Sequence, residues 1–188
     1  DTAFDDGPLQ SAHVAPIALV FLSNLLRPDA QETFRYFASQ GVSVRVISGD
    51  NPITVAQVAA RAGIENADRY VDATTLSTEQ DFEEAVKYYT VFGRVTPEQK
   101  RYLVRAFQKQ GHTVAMTGDG VNDAPSIKRA NIGVGMGITG TDVTKNVADM
   151  VLADDNFATI ISACEEGRRI YDNIRKVIQF LLSANLAE

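Results

Sequence analysis

Residues 116–126 read MTGDGVNDAPS, bringing Asp119, Asn122 and Asp123 together with Gly118 and Gly120. The five residues before this loop closes, HTVAM at 112–116, alternate as a half-buried strand does. Residues 117–122 then form the loop at that strand's carboxyl end, the edge where open α/β sheets bind ligands. With Asp123 opening a helix that runs to Ala130, both carboxylates can converge on one point, with Asn122 between them. Two converging carboxylates repel unless a cation lies between them. A hard ion such as Mg²⁺, held by one or two carboxylates and by substrate phosphate oxygens, suits the layout. The plainer reading is a polar loop whose Asp and Asn cap a helix and fill a turn.

Working outward, strands and helices alternate along the chain. Residues 1–15 are acidic, broken by Gly7 and Pro8, and read as a linker or the remainder of a removed domain. PIALVFL (16–22) is a continuous apolar run, as a strand covered on both faces requires. A helix follows from Arg27-Pro28-Asp29 to Gln40, with Ala30, Phe34, Phe37 and Ala38 on one face and Gly41 as its stop. VSVRVI (42–47) is the next strand. Its exit, SGDNPI (48–53), offers Asn51 as cap and Pro52 as first residue of a helix to Ala62.

Residues 70–72 suggest a short strand, Ser77 or Thr78 a helix cap, and 89–92 a further strand. In GRVTPEQK (93–100), Thr96 and Gln99 form a capping box and Pro97 occupies the first helical position, predicting a helix over 97–110. Lys100 in that first turn opposes the helix dipole unless an anion meets it, or else it is solvated. Strands at 132–134 and 150–152 flank a helix near 141–147, and a long helix starts at about Phe157. Its apolar positions, among them Ile160, Ile161, Cys164, Ile170, Ile174 and Ile178, keep helical spacing and read as core or interface. The architecture expected is α/β: a mainly parallel, Rossmann-like sheet with helices on both faces.

Composition narrows the function classes. The chain has 188 residues, 45% hydrophobic, enough for a sizeable core. A net charge of −6 without basic runs argues against a nucleic-acid partner. One cysteine excludes a disulfide framework, and two histidines make a histidine-built zinc site improbable. No apolar run is long enough to span a bilayer, the nearest being residues 177–187.

One rival pattern exists. GMGITG (135–140) matches GxGxxG after a strand, with Asp154 and Asp155 close to the offset of about 20 residues seen in dinucleotide folds. That fingerprint usually begins its fold, however, and here it follows several βα units. It also leaves Ser48, Lys100, Asp119 and Asp123 without a shared role. Those four suit phosphoryl transfer, which needs positioned donors, a fixed cation, metal-binding carboxylates and a nucleophile. The nucleophile is the missing part.

SGDNP, GRVTPEQK and TGDGVNDAPS, in this order and spacing, closely resemble the phosphorylation domain of P-type cation-transporting ATPases, members of the haloacid dehalogenase-like superfamily. The resemblance covers nearly the whole chain from Pro16 and lies closest to calcium-pump-like members. It implies that Asp119 holds Mg²⁺, that Asn122 and Asp123 order the phosphorylated loop, and that Lys100 contacts the phosphoryl group. Ser48, Gly49 and Asp50 would line the phosphate and nucleotide side with Gly118 and Gly120, and Arg94 is a secondary nucleotide contact. ATP would be the substrate, brought by a nucleotide domain that this chain lacks.

Two departures stand out. The family's nucleophile motif DKTGT does not occur, so the resemblance implies a fragment without the nucleophile strand and without turnover of its own. Asn24 stands where relatives usually carry Asp before Arg27-Pro28, and no role is assigned to it. By the same likeness, residues 16–156 are the phosphorylation domain and 157–188 a stalk leading into a membrane helix. Asn185 and Glu188 would match ligands of a transported cation, expected to be Ca²⁺, in an intact pump whose domain sits at the cytosolic membrane face among its membrane helices. The alternatives are a soluble haloacid dehalogenase-like phosphatase and a non-catalytic dinucleotide-binding module.

Overall fold

Parallel strands need a crossover between them, and this chain places a helix in every interval between successive strands. The computed structural model describes residues 26–187. The helix α1 (Ala30–Ser39) leads into β1 (Val46–Ile47), α2 (Pro52–Arg61), β2 (Tyr70–Asp72), α3 (Glu79–Tyr88) and β3 (Val91–Gly93). Then come α4 (Pro97–Lys109), β4 (Ala115–Gly118), α5 (Ala124–Arg129), β5 (Ile132–Met136), α6 (Asp142–Val147), β6 (Met150–Leu152) and α7 (Ala158–Ala187). The strand expected at 16–22, the segment 1–15, Asn24 and Glu188 lie outside the described residues.

Local chemistry sets the helix starts. Asn51 accepts from the Ile53 amide ahead of Pro52. Thr78 and Asp81 form a capping box on α3, and Thr96 and Gln99 form another on α4. Each cap satisfies backbone N–H groups that the first turn leaves without a partner.

Every strand pairing is parallel, as expected, and among the described residues six strands form two sheets, in the orders β1-β3-β2 and β4-β5-β6. In the first, Ile47 is level with Phe92 and Asp72 with Gly93. In the second, Gly118 is level with Gly135, and Gly135 with Val151. The helix α4 bridges them. Its Leu103 and Phe107 pack under the first sheet with Phe82 and Phe92, while its Val104 joins Met116 and Ile127 under the second. Ile47 of β1 and Val114 beside β4 pack into both clusters, so the two sheets share a core at their β1 and β4 ends. Among the described residues no ladder joins them.

Of the two readings of the α7 stripe, core and interface, the described residues bury only the first turns; Cys164 is exposed, and so are Ile170, Ile174, Val177, Ile178 and Leu181. The helix docks through α1 instead, where the Tyr36 hydroxyl donates to Glu165 at 3.2 Å and Arg168 donates to Gln40. Among the described residues no helix is long and apolar enough to cross a membrane.

Candidate functional site

The site is assembled at one end of the strands because α4 starts beside β3 and reaches across to β4. Lys100, in the first turn of α4, donates to Asp123 Oδ1 at 2.6 Å, with side-chain exposures of only 16% and 11%. The Gly120 amide donates to the other oxygen, Asp123 Oδ2, at 3.3 Å. The anion that meets the out-of-place lysine is thus Asp123. Of the two carboxylates, Asp123 is paired with a cation from α4. It does not act as a side-chain cap: Asp123 occupies the N-cap position of α5 without a side-chain capping bond.

Asp119 is placed differently. It follows β4 directly, is exposed, and among the described residues its carboxylate takes no hydrogen bond. Its backbone is held firmly, because the Asp119 carbonyl accepts from the Thr141 amide at 3.0 Å and from the Thr144 hydroxyl at 3.4 Å. Gly118 is required by proximity: a Cβ there would lie 2.5 Å from Asp123 Cβ. Asn122 is exposed within the 3-10 turn Val121–Asp123 that joins Gly120 to α5.

The neighbouring strand ends carry the second half of the site. The Ser48 carbonyl accepts from Val95 N–H at 3.0 Å and the Asp50 carbonyl from Arg94 N–H at 2.8 Å, tying the β1 exit to the β3 exit. From there the chain runs through Thr96 to Lys100, whose ammonium reaches Asp123 in the loop after Asp119. The Ser48 hydroxyl donates to Asp50 Oδ2 at 3.3 Å and accepts from the Asp50 amide at 3.1 Å, closing a local turn around Gly49. Arg94, at φ 52°, turns to Asp72 Oδ2 at 2.9 Å. Hydrogen bonds from Thr74, aided by Arg94, hold the Asp72 carboxyl below its usual range. Asn185 falls in the last turns of α7, away in sequence from all of these.

A metal fits here in one way. Among the described residues no group of three or more His, Cys, Asp or Glu side chains could enclose an ion. An open site of one free carboxylate, Asp119, instead suits Mg²⁺, which keeps waters and shares ligands with phosphate.

The rival glycine loop has another occupation. Asp155 sends its carboxylate into residues 135–140, accepting from Ile138 N–H at 2.9 Å, Thr139 N–H at 2.8 Å and the Thr139 hydroxyl at 2.7 Å. A dinucleotide pyrophosphate would need such amides free, and here the chain supplies its own anion. Sequence reasoning weighed Asp154 and Asp155 only within the rival dinucleotide pattern and passed over Asp72 and Thr144. Only the Thr141-to-Thr144 cap spacing hinted at the last.

Parallel sheets flanked by helices, with an aspartate loop and a lysine meeting at the strands' carboxyl edge, make this a Rossmann-like α/β domain. The model for haloacid dehalogenase-like hydrolases matches residues 2–131, and the chain belongs to that family. It is 48% identical over 171 residues to the calcium-transporting ATPase CtpE of Mycobacterium bovis, covering 90% of this chain and 21% of that protein. It is 46% identical over 165 residues to a calcium-transporting ATPase of Bacillus subtilis, covering 86% and 18%. A zinc-transporting PIB-type ATPase in its E2.Pi state superposes with a TM-score of 0.62 at 30% identity, over 81% of this chain and 21% of that one. The chain spans about a fifth of the length of these relatives.

Proposed function

We propose that this chain is the phosphorylation domain of a P-type cation pump, in which the γ-phosphate of ATP passes to an aspartate supplied from outside the chain. The observation that carries this reading is the meeting of Lys100 with Asp123 beside the free carboxylate of Asp119, three residues brought from two different βα units to one edge. Mg²⁺ bound at Asp119 would neutralise phosphoryl charge. Lys100 supplies a fixed cation beside it, and Asp123 holds that cation in place. The Gly49 amide and the Ser48 hydroxyl, once released from Asp50, donate to phosphate oxygens. Asn122 and Gly120 order the loop around the acceptor, and Arg94 with Asp72 borders the nucleotide side. Among the described residues β1 and β4 each end a sheet, and the edge they leave would receive the strand bearing the acceptor aspartate.

The names of the relatives favour Ca²⁺ as the transported ion, although a zinc transporter shares the fold. Asn185 and Glu188 are the ligands this chain would contribute within the membrane part of the intact protein.

Labelling with radioactive ATP and Mg²⁺ tests the reading. The full-length protein should form an acid-stable phosphoenzyme that Asp119→Asn abolishes, and the isolated chain should take no label. Undiminished label in Asp119→Asn, or label on the isolated chain, would overturn it.

A further inference from the structure

The loop between β5 and α6 is bound at nearly every residue, and its bonds end on the Asp119 loop. At its start, the Gly137 amide donates to the Leu152 carbonyl at 2.9 Å. Next, Asp155 gathers the Ile138 and Thr139 amides and the Thr139 hydroxyl. Asp155 does so from a left-handed backbone, φ 51°, which non-glycine residues adopt at a cost. At Gly140 the chain doubles back so closely that a Cβ would lie 1.9 Å from the Met136 carbonyl oxygen. Thr141 N–H then donates to the Asp119 carbonyl. Finally Thr144, with no exposed surface, meets the Thr141 hydroxyl at 2.8 Å and shares its own proton between the Gly120 carbonyl at 3.0 Å and, at a longer 3.4 Å, that of Asp119.

A hydroxyl buried at 0% exposure and aimed at the carbonyls of Asp119 and Gly120 is more than a helix cap needs, because the capping bond to the Thr144 amide is already made by Thr141. We propose that residues 137–144 form a brace for the metal loop, with Thr144 as the positioning residue and Asp155 as the rear anchor, so that both set the metal affinity of Asp119 without touching the ion. This rests on the metal role proposed for Asp119. The physical reason is preorganisation: groups behind a metal ligand fix its direction, and their loss typically lowers metal affinity about 10–100-fold.

The test titrates the chain with Mn²⁺, a paramagnetic stand-in for Mg²⁺, and follows broadening of the Gly118, Asp119 and Gly120 amide signals. Thr144→Val, which keeps the shape and loses the hydroxyl, should weaken binding about tenfold. Thr144→Ser should restore it to near the wild-type value, and Asp155→Asn should weaken it although its side chain lies behind the loop. A residue that merely stabilised the fold would lower the melting temperature without moving the affinity of the folded chain. If Thr144→Val does not fold, Asp155→Asn and Thr144→Ser carry the decision. Wild-type affinity in Thr144→Val and Asp155→Asn, with binding lost in Asp119→Asn, would overturn the brace and leave the metal role standing. Broadening that spares these amides in the wild-type chain, or persists in Asp119→Asn, would overturn both.

Discussion

At the scale of single residues, the chain places carboxylates where backbone amides can use them. Asp155 is the clearest case: amide donation from Ile138, followed by the bonds from Thr139, lowers its pKa from 3.8 to about 2. The folded pKa lies below the unfolded one, so the fold favours the ionised form. Its contribution is complete above the unfolded pKa and disappears as pH falls through the folded value. Urea unfolding of wild-type and Asp155→Asn proteins at about pH 5 and about pH 2.5 should therefore show a stability gap that narrows at the lower pH. A gap that stayed constant would show that the Asp155 carboxylate is not held by these amides. Asp123 illustrates the other solution, a buried charge answered by a cation from another helix. The sequence revealed that Lys100 was out of place at a helix start. It could not reveal that Asp123 was the reason, because the pair is separated by 23 residues.

At the scale of elements, helix starts were legible, as were the starts of β2, β5 and β6, whereas β1 and β4 begin later than their sequence pattern suggests. Asn51, Thr78 and Thr96 cap the helices that their spacing implies. The strand expected over 42–47 shrinks to Val46–Ile47, because the Val42 amide is spent on the Phe37 carbonyl in closing α1. His112 is spent likewise, donating to the Phe107 carbonyl at the end of α4, and β4 begins only at Ala115. Gly41 and Gly111, at φ 74° and 84°, turn the chain at those two helix ends.

Packing between elements gives a prediction at this scale. A Cβ on Gly93 would lie 2.4 Å from Pro52 Cα, so β3 meets the start of α2 with no room to spare. Gly93→Ala gains about 0.4–1 kcal/mol from reduced unfolded-state freedom but forces two backbones apart, at about 1–3 kcal/mol. Net destabilisation is expected, with the loss of Ser48 and Asp50 order visible in their amide chemical shifts. Thr96→Ala, which removes one cap, should cost about 1 kcal/mol and leave those shifts alone. Unchanged or increased stability in Gly93→Ala would contradict the close approach.

At the scale of the whole molecule, two three-stranded sheets share α4, and among the described residues nothing covers the apolar stripe of the long helix beyond its first turns. The described contacts of α7 with α1 end at Arg168. A chain ending after Arg169 should thus keep its unfolding free energy to within about 0.5 kcal/mol. It should also self-associate less in sedimentation experiments, since a contiguous exposed apolar face promotes association. A large stability loss on truncation would mean that the distal helix folds back onto the body.

The order of strands and helices, their caps and the carboxyl-edge position of Ser48, Lys100 and Asp119 were determined by the sequence alone, because those features depend on neighbours a few residues apart. Tertiary structure decided which charges pair, that the glycine loop serves Asp155 rather than a dinucleotide, and that Thr144 stands behind Asp119. It also divided the strands into two ladders. Each of these outcomes depends on groups distant in the chain competing for the same donors, acceptors or ladder edges, and only the folded packing settles that competition.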